Sequence, residues 1–262
     1  MNVPLNNPLL AGMPVSEFDA TLAAVPHPLV FVTVSGAHLY GFPSADSDFD
    51  LRGSHLLPGE AFWGLQTPVE TLEPQADTDA GLVEIVSHDL RKFVRLLLRH
   101  NGYVLEQLTS PLVVRTSPVH AELLRLTPGL LTRGHYFHYR GFYHSERKAY
   151  DRSEPKSIKK LLYAYRVLMT GCVLMREGII EANLPALNER FGFRFLDELI
   201  ELKATLEKGT LDDDRPYLGQ LERLEAELER AHAETTLPEQ PSVRAEMERL
   251  VIDVRRNGLG AA

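Results

Sequence analysis

The chain has 262 residues, 44% of them hydrophobic and 24% charged, an ordinary globular composition with ample length for a buried core. Its formal net charge of −8 excludes a strongly basic nucleic-acid coat, though not a local basic groove. The single cysteine, Cys172, excludes an intramolecular disulfide and a Cys-rich zinc site.

Cys172 sits in an apolar helical run and reads as a small buried hydrophobe. The N-terminus has no basic region ahead of an apolar stretch, and the longest apolar runs fall short of the roughly 20 residues that span a bilayer. A soluble, cytoplasmic protein with no membrane partner is expected.

In chain order, residues 15–24 predict a short helix capped by Ser16. Leu29–Val34 is a β-branched run suited to a buried strand, ending in the turn signal Ser35-Gly36. Phe49–Gly53 alternates apolar and charged residues, as a half-buried strand does. Val69–Leu72 and Leu82–Val86 predict two more strands on either side of an acidic, Gly-containing turn over 73–81. Ser87 is placed to cap a helix that runs to about His100, with Leu90, Phe93, Val94, Leu97 and Leu98 on one face, and Asn101-Gly102 stops it.

After about Pro118 strand patterns give way to helical periodicity over 119–127, 138–150, 157–177, 184–206, 216–234 and 242–256. Breaks fall at Pro155, Gly192, Pro216 and 237–241. The switch predicts an α+β chain: an α/β domain with a small mixed sheet over 1–117, then an all-helical domain over 118–262.

The chemistry is concentrated between Ser35 and Gly53. A strand ends in the small-residue turn Ser35-Gly36-Ala37, whose backbone N–H groups can face an anion. A second turn follows over Gly41–Ser47, and the next strand carries Asp48 and Asp50. Residues i and i+2 of a strand project from one face, so the two carboxylates repel unless a cation lies between them. Oxygen-only ligands suit a hard cation such as Mg²⁺, which also binds substrate phosphates. A turn for phosphates beside carboxylates for a metal is a design for holding a nucleoside triphosphate.

The stretch Ser35-Gly36, Tyr40-Gly41, Ser47-Asp48, Asp50, Arg52-Gly53 resembles the signature of the DNA polymerase β superfamily. More closely, it resembles the bacterial predicted stand-alone nucleotidyltransferases, whose pattern runs Ser-Gly-Ser-x-x-Tyr-Gly, a spacer, then Ser-Asp-x-Asp-x-Arg-Gly. One position departs from it: Ala37 stands where that pattern has a serine whose hydroxyl contacts the triphosphate.

The resemblance implies a polymerase-β-like catalytic domain and a helical domain closing the nucleotide and acceptor cleft. It implies a third metal carboxylate on a neighbouring strand, for which Glu84 is the candidate and Glu70, Asp79 and Asp89 the alternatives. Asn101–Leu108 is similar to a further family stretch in which no role falls to Glu106, and Lys160, Tyr163 and Arg166 resemble a Lys-x-x-Tyr-x-x-Arg helix that would form a polar lid. Asp48, Asp50 and Glu84 are thus expected to be catalytic and to hold Mg²⁺ or Mn²⁺. Ser35, Gly36, Ala37, His38, Gly41, Ser47, Arg52, Lys160, Tyr163 and Arg166 are expected to bind nucleotide.

The implied reaction moves a nucleoside monophosphate from an NTP to a hydroxyl on RNA, protein or a small molecule. A catalytically weak nucleotide- or RNA-binding regulator, suggested by Ala37, is the alternative, with a nucleic-acid repair or binding partner as a third reading. His135, His138 and His144, beside Arg140, are interleaved with Phe and Tyr and read as an aromatic-rich junction rather than a metal site.

Overall fold

The computed structural model describes residues 3–4, 7–205, 211 and 213–260. The chain forms two compact units: Met1–Gly36, Asp48–Leu130 and Pro241–Ala262 make the first, and Ala37–Ser47 with Leu131–Gln240 the second. The expected single break after residue 117 falls inside the first unit. Residues 118–130 and 244–257 carry helices that pack on one another and on other elements of the first unit.

The first unit is built on a mixed sheet of β1 (Val3–Pro4), β2 (Leu29–Val34), β3 (Phe49–His55), β4 (Thr71–Leu72), β5 (Gln75–Thr78), β6 (Gly81–Asp89) and β7 (Val113–Thr116). Its order is β1-β7-β2-β3-β6-β4, with β5 also pairing β6. The strands run antiparallel except β3 and β6, which are parallel. β2 lies centrally and is buried along its whole length, as its unbroken apolar run requires.

Helix α1 (Phe18–Ala23) covers one face, where Phe18 packs on Phe49 at 5.4 Å. On the other face lie α3 (Leu90–Leu97), α4 (Gly102–Thr109) and α5 (Pro118–Leu126). There Phe31 stands between Phe93 at 5.2 Å and His120 at 4.5 Å. The last helix, α11 (Arg244–Asn257), packs on α3 and α5.

The short helix α2 (Gly36–Tyr40) follows β2, and the chain passes at its first residue from the first unit to the second. The second unit is a set of helices: α6 (His135–Asp151), α7 (Ile158–Glu177), α8 (Leu184–Phe191), α9 (Arg194–Thr205) and α10 (Arg215–Glu234). α7 is apolar on nearly every side and is the central helix, with α6 and α10 against it. Each of its fully buried leucines contributes about 2–5 kcal/mol, judged by truncation to alanine.

Several sequence expectations are corrected. Ser16 lies inside a 3-10 turn, Val15–Glu17, ahead of α1 and caps nothing. β6 runs on through Ser87, which is buried against His55 Nδ1 at 2.9 Å, and the cap of α3 is Asp89, whose carboxylate accepts from Arg91 N.

The turn expected over 73–81 contains β5, an exposed strand without apolar alternation. β7 joins the sheet although its four residues carry little periodic signal. α3 ends at Leu97, ahead of Asn101-Gly102, and the Asn101 side chain instead accepts from Val104 N and starts α4. The run expected over 184–206 is two helices parted at left-handed Gly192, and its last residue, 206, lies outside the described residues. Among the described residues no helix is long and apolar enough to cross a membrane.

Candidate active site

In the first unit, parallel pairing of β3 with β6 sets Asp50 directly beside Glu84. Partners in a parallel ladder project from the same face, so two carboxylates from distant parts of the chain become neighbours. One guanidinium nitrogen joins them: Arg52 Nη2 donates to Asp50 Oδ1 at 2.9 Å and to Glu84 Oε1 at 2.8 Å. Arg52 is anchored in turn by the Leu51 carbonyl at 2.9 Å and by the Tyr103 hydroxyl of α4 at 3.2 Å.

The electrostatics follow from this packing. Burial pushes the Asp50 carboxyl above the usual range; Arg52 pulls it back, and the adjacent charges of Glu84 and Asp48 push it up again. Burial also works against the charge on Arg52, but Tyr103, Asp50 and Glu84 outweigh it and hold the guanidinium firmly protonated. Asp48, expected on the strand beside Asp50, is exposed and lies just before β3, which begins at Phe49.

Gly36 explains itself through Asp50. Its φ of 60° is left-handed, and a Cβ there would lie 1.9 Å from Asp50 Oδ2. Ser35 N donates to the Asp50 carbonyl at 2.8 Å, fixing the turn to β3. Ser35 Oγ is buried and has no hydrogen-bond partner among the described residues.

Among the alternatives for a third carboxylate, Glu70 pairs with Arg91 at 3.3 Å and Asp79 is exposed. Asp89 is fully buried, bonded to Leu57 N, Arg91 N and Arg255, and its work is structural. Among the described residues no three His, Cys, Asp or Glu side chains are gathered around one point. The arranged set is therefore Asp50 and Glu84 with Arg52 between them.

The remaining expected residues lie in the second unit. Ala37 is buried and His38 half-buried on α2. Gly41, with φ of 81°, has no room for a side chain: a Cβ would meet Asn183 Nδ2 at 2.6 Å. Asn183 donates to the Leu39 carbonyl at 3.3 Å while its oxygen caps α8.

Tyr163 packs edge-on against Tyr40 at 5.5 Å and Phe42 at 5.3 Å. Arg166 is wholly buried, its guanidinium 3.9 Å from the centre of the Tyr40 ring. Lys160 turns elsewhere and donates to the Ala149 carbonyl of α6 at 3.2 Å. The face expected to be shared by Lys160, Tyr163 and Arg166 is thus divided, because the i to i+6 spacing turns the first and last well apart.

Lys203 is the residue the sequence reading missed. It is buried on α9, and its amine donates to the Phe42 carbonyl at 2.8 Å and Ser44 Oγ at 2.9 Å, with Ser47 Oγ at 3.5 Å. Ser47 closes the same turn, its Oγ accepting from Ser44 N at 2.9 Å. Burial, and then Lys159, lower the Lys203 pKa. The signal was present: Lys203 continues the buried stripe Leu196, Leu199, where a lysine has to find acceptors.

Comparison with known proteins gives the arrangement its context. An uncharacterized protein of Methanocaldococcus jannaschii is 29% identical over 168 residues, spanning 64% of this chain and 66% of that protein, just under two thirds of its length. The uncharacterized protein YcgL of Bacillus subtilis is 26% identical over 243 residues, 86% of this chain and 88% of its own.

A nucleotidyltransferase-like protein of Exiguobacterium sibiricum aligns with 93% of this chain and 75% of its own at 12% identity. Its TM-score of 0.31 is too slight to carry an argument. The model of the RlaP family, described as the RNA repair pathway DNA polymerase beta family, matches residues 14–253, nearly the whole chain. With a small mixed sheet that pairs Asp50 and Glu84 behind a Ser-Gly turn, the chain belongs to the RNA repair pathway DNA polymerase beta family.

Proposed function

We propose that the chain is a divalent-cation-dependent nucleotidyltransferase that moves a nucleoside monophosphate from an NTP to a hydroxyl acceptor and releases pyrophosphate. The observation that carries this reading is the in-register pair Asp50 and Glu84, bridged by Arg52 and abutted by Gly36. A half-buried pair of acids with one shared cation is poised for further positive charge.

The paired donors fit Mg²⁺ or Mn²⁺ by their chemistry, since Asp50 and Glu84 offer oxygens alone. Bound there, such an ion would neutralise the triphosphate and ease ionisation of the acceptor hydroxyl. The remaining work belongs to the chain. Arg52 holds Asp50 and Glu84 in place and keeps them from repelling each other apart. The orphan Ser35 hydroxyl has a hydrogen bond to give to a phosphate oxygen. Glu84, whose Oε1 is held by Arg52, is the carboxylate to take the acceptor's proton.

The test is incubation with each labelled NTP, Mg²⁺ and mixed cellular RNA or protein. Label should pass to one acceptor class, and Asp48→Asn, Asp50→Asn and Glu84→Gln should each abolish transfer. Wild-type activity in Asp50→Asn would overturn the assignment.

Ala37 supports a second reading, a weak relative that binds nucleotide without efficient transfer. Mg²⁺–ATP binding without labelling of any acceptor would select it. Ala37→Ser should then tighten binding by about 0.5–1.5 kcal/mol, the worth of one hydrogen bond, measured by calorimetry.

A further inference from the structure

Outside the carboxylate pair, the first unit holds a groove of about 450 Å³ between α3, α11 and the 3-10 turn Gly59–Phe62. That volume lies in the range of about 300–1,000 Å³ typical of ligand sites. α3 begins where β6 ends, so the groove is removed from Glu84 by five residues of strand, about 17 Å at the usual rise.

Its charge is at odds with the acidic chain. Arg91, Arg95, Arg244, Arg255 and Arg256 line it, against Glu248 alone on the acidic side. Two of the five have internal duties: Arg255 is bonded to buried Asp89 at 2.8 Å, and Arg91 pairs with Glu70 at 3.3 Å. Arg95, Arg244 and Arg256 are exposed and make no ion pair among the described residues. Three exposed cations lining one concavity against the single carboxylate of Glu248 call for a ligand carrying several negative charges.

The groove also offers flat apolar surface. Phe62 is clamped between guanidiniums, with Arg91 4.3 Å and Arg255 4.7 Å from its ring centre. Beside it Trp63, the only tryptophan in the chain, is 79% exposed. An exposed indole next to clustered arginines matches a ligand that alternates phosphates with planar bases. An acidic peptide would satisfy the arginines but leave the indole face unused, and duplex would keep its bases out of reach.

We infer that this groove binds single-stranded nucleic acid, with Trp63 stacking on a base and Arg95, Arg244 and Arg256 holding the backbone phosphates. The inference stands on the groove alone and does not require the transfer reaction proposed for Asp50 and Glu84.

The test uses the full chain and the emission of Trp63. Titration with a short uridine oligoribonucleotide, or its thymidine deoxy counterpart, should quench that emission saturably, and the tighter of the two names the sugar. With three phosphate contacts, log K should fall against log salt with a slope of about −2, so a fourfold rise in salt weakens binding about 20-fold. The triple variant Arg95→Ala, Arg244→Ala, Arg256→Ala should lose affinity by at least the same factor while its thermal midpoint and its Mg²⁺–ATP binding hold. Trp63→Ala, followed by anisotropy of a labelled oligonucleotide, should weaken binding about tenfold. Asp50→Asn should leave oligonucleotide binding unchanged, which keeps this test separate from that of the reaction. Absence of quenching by both oligonucleotides, equal binding by polyglutamate, or full affinity in the triple variant would overturn the proposal.

Discussion

Gly36 is the residue on which the site's geometry turns. Alanine there would adopt a left-handed backbone and drive its methyl into Asp50 Oδ2. Gly36→Ala should cost about 1–3 kcal/mol in urea unfolding, by backbone strain alone, and should displace the Asp50 carboxylate. Asp50 itself yields a prediction about pH. Its folded pKa is raised, so its stabilising contribution is present below the unfolded value of about 3.9 and is lost as pH rises through the folded value. Asp50→Asn, which cannot ionise, should therefore melt higher than the native chain at neutral pH while matching it in acid. An unchanged midpoint at both would mean that Arg52 fully offsets the buried charge. At this scale the sequence was informative about the turn at Gly36 and about Asp50 on β3, because a glycine turn and strand alternation are local. Asp48, expected on the same strand, lies before its first residue and is exposed. The bridging role of Arg52 was not visible, since it depends on the register between β3 and a strand more than thirty residues further on.

Among elements, α9 shows how a loop is held by a helix far along the chain. Lys203 sits in the buried stripe of α9 and supplies the donors for the turn at Phe42, Ser44 and Ser47. Lys203→Met preserves the apolar stem but leaves the Phe42 carbonyl without that donor. It should destabilise the chain by about 1–3 kcal/mol, the cost of stranding a buried acceptor. Proteolysis within residues 42–47 should also become faster, which limited digestion followed by mass spectrometry would detect. Most of the longer helices were legible because each buries a periodic apolar face, whereas α4 was not expected as a helix and the run over 184–206 proved to be two. The short strands were not legible. β5 has no apolar alternation, β7 is a strand only because β2 offers an edge to pair with, and β1 only because β7 then offers the next. Ser87 was mistaken for a helix cap because Asp89, two residues on, offers the same capping chemistry, and only the pairing of β6 chooses between them.

Across the whole molecule, acid should weaken both units. His55 and His88 in the first and His138 in the second are each held down to about 4, in every case chiefly by burial. A histidine with a lowered folded pKa favours the neutral form in the fold. Between its unfolded value of about 6.5 and 4, the unfolded chain takes up protons that the folded chain refuses. Stability should fall as pH drops through that window, and urea midpoints at pH 7 and pH 5 would register it. Equal midpoints would mean that these imidazoles are protonated in the fold. The broad division into an α/β part and a helical part was readable from periodicity. The return of the last helix to the sheet was not, because an amphipathic face does not say which partner it will cover.

That return has a consequence for the order in which the protein is made. Of the two units, the first begins to leave the ribosome before the second and is complete only after it, since α11 and its Arg255 emerge behind the whole helical unit. Until then the carboxylate of Asp89, fully enclosed in the finished fold, has no cation beside it. The nascent sheet must wait with that position still open to water, while the helical unit, encoded in the interval, can fold ahead of it. Synthesis halted before residue 244 should leave a protease-resistant helical fragment joined to a protease-sensitive amino-terminal one. Equal resistance of both would show that the sheet closes without its final helix.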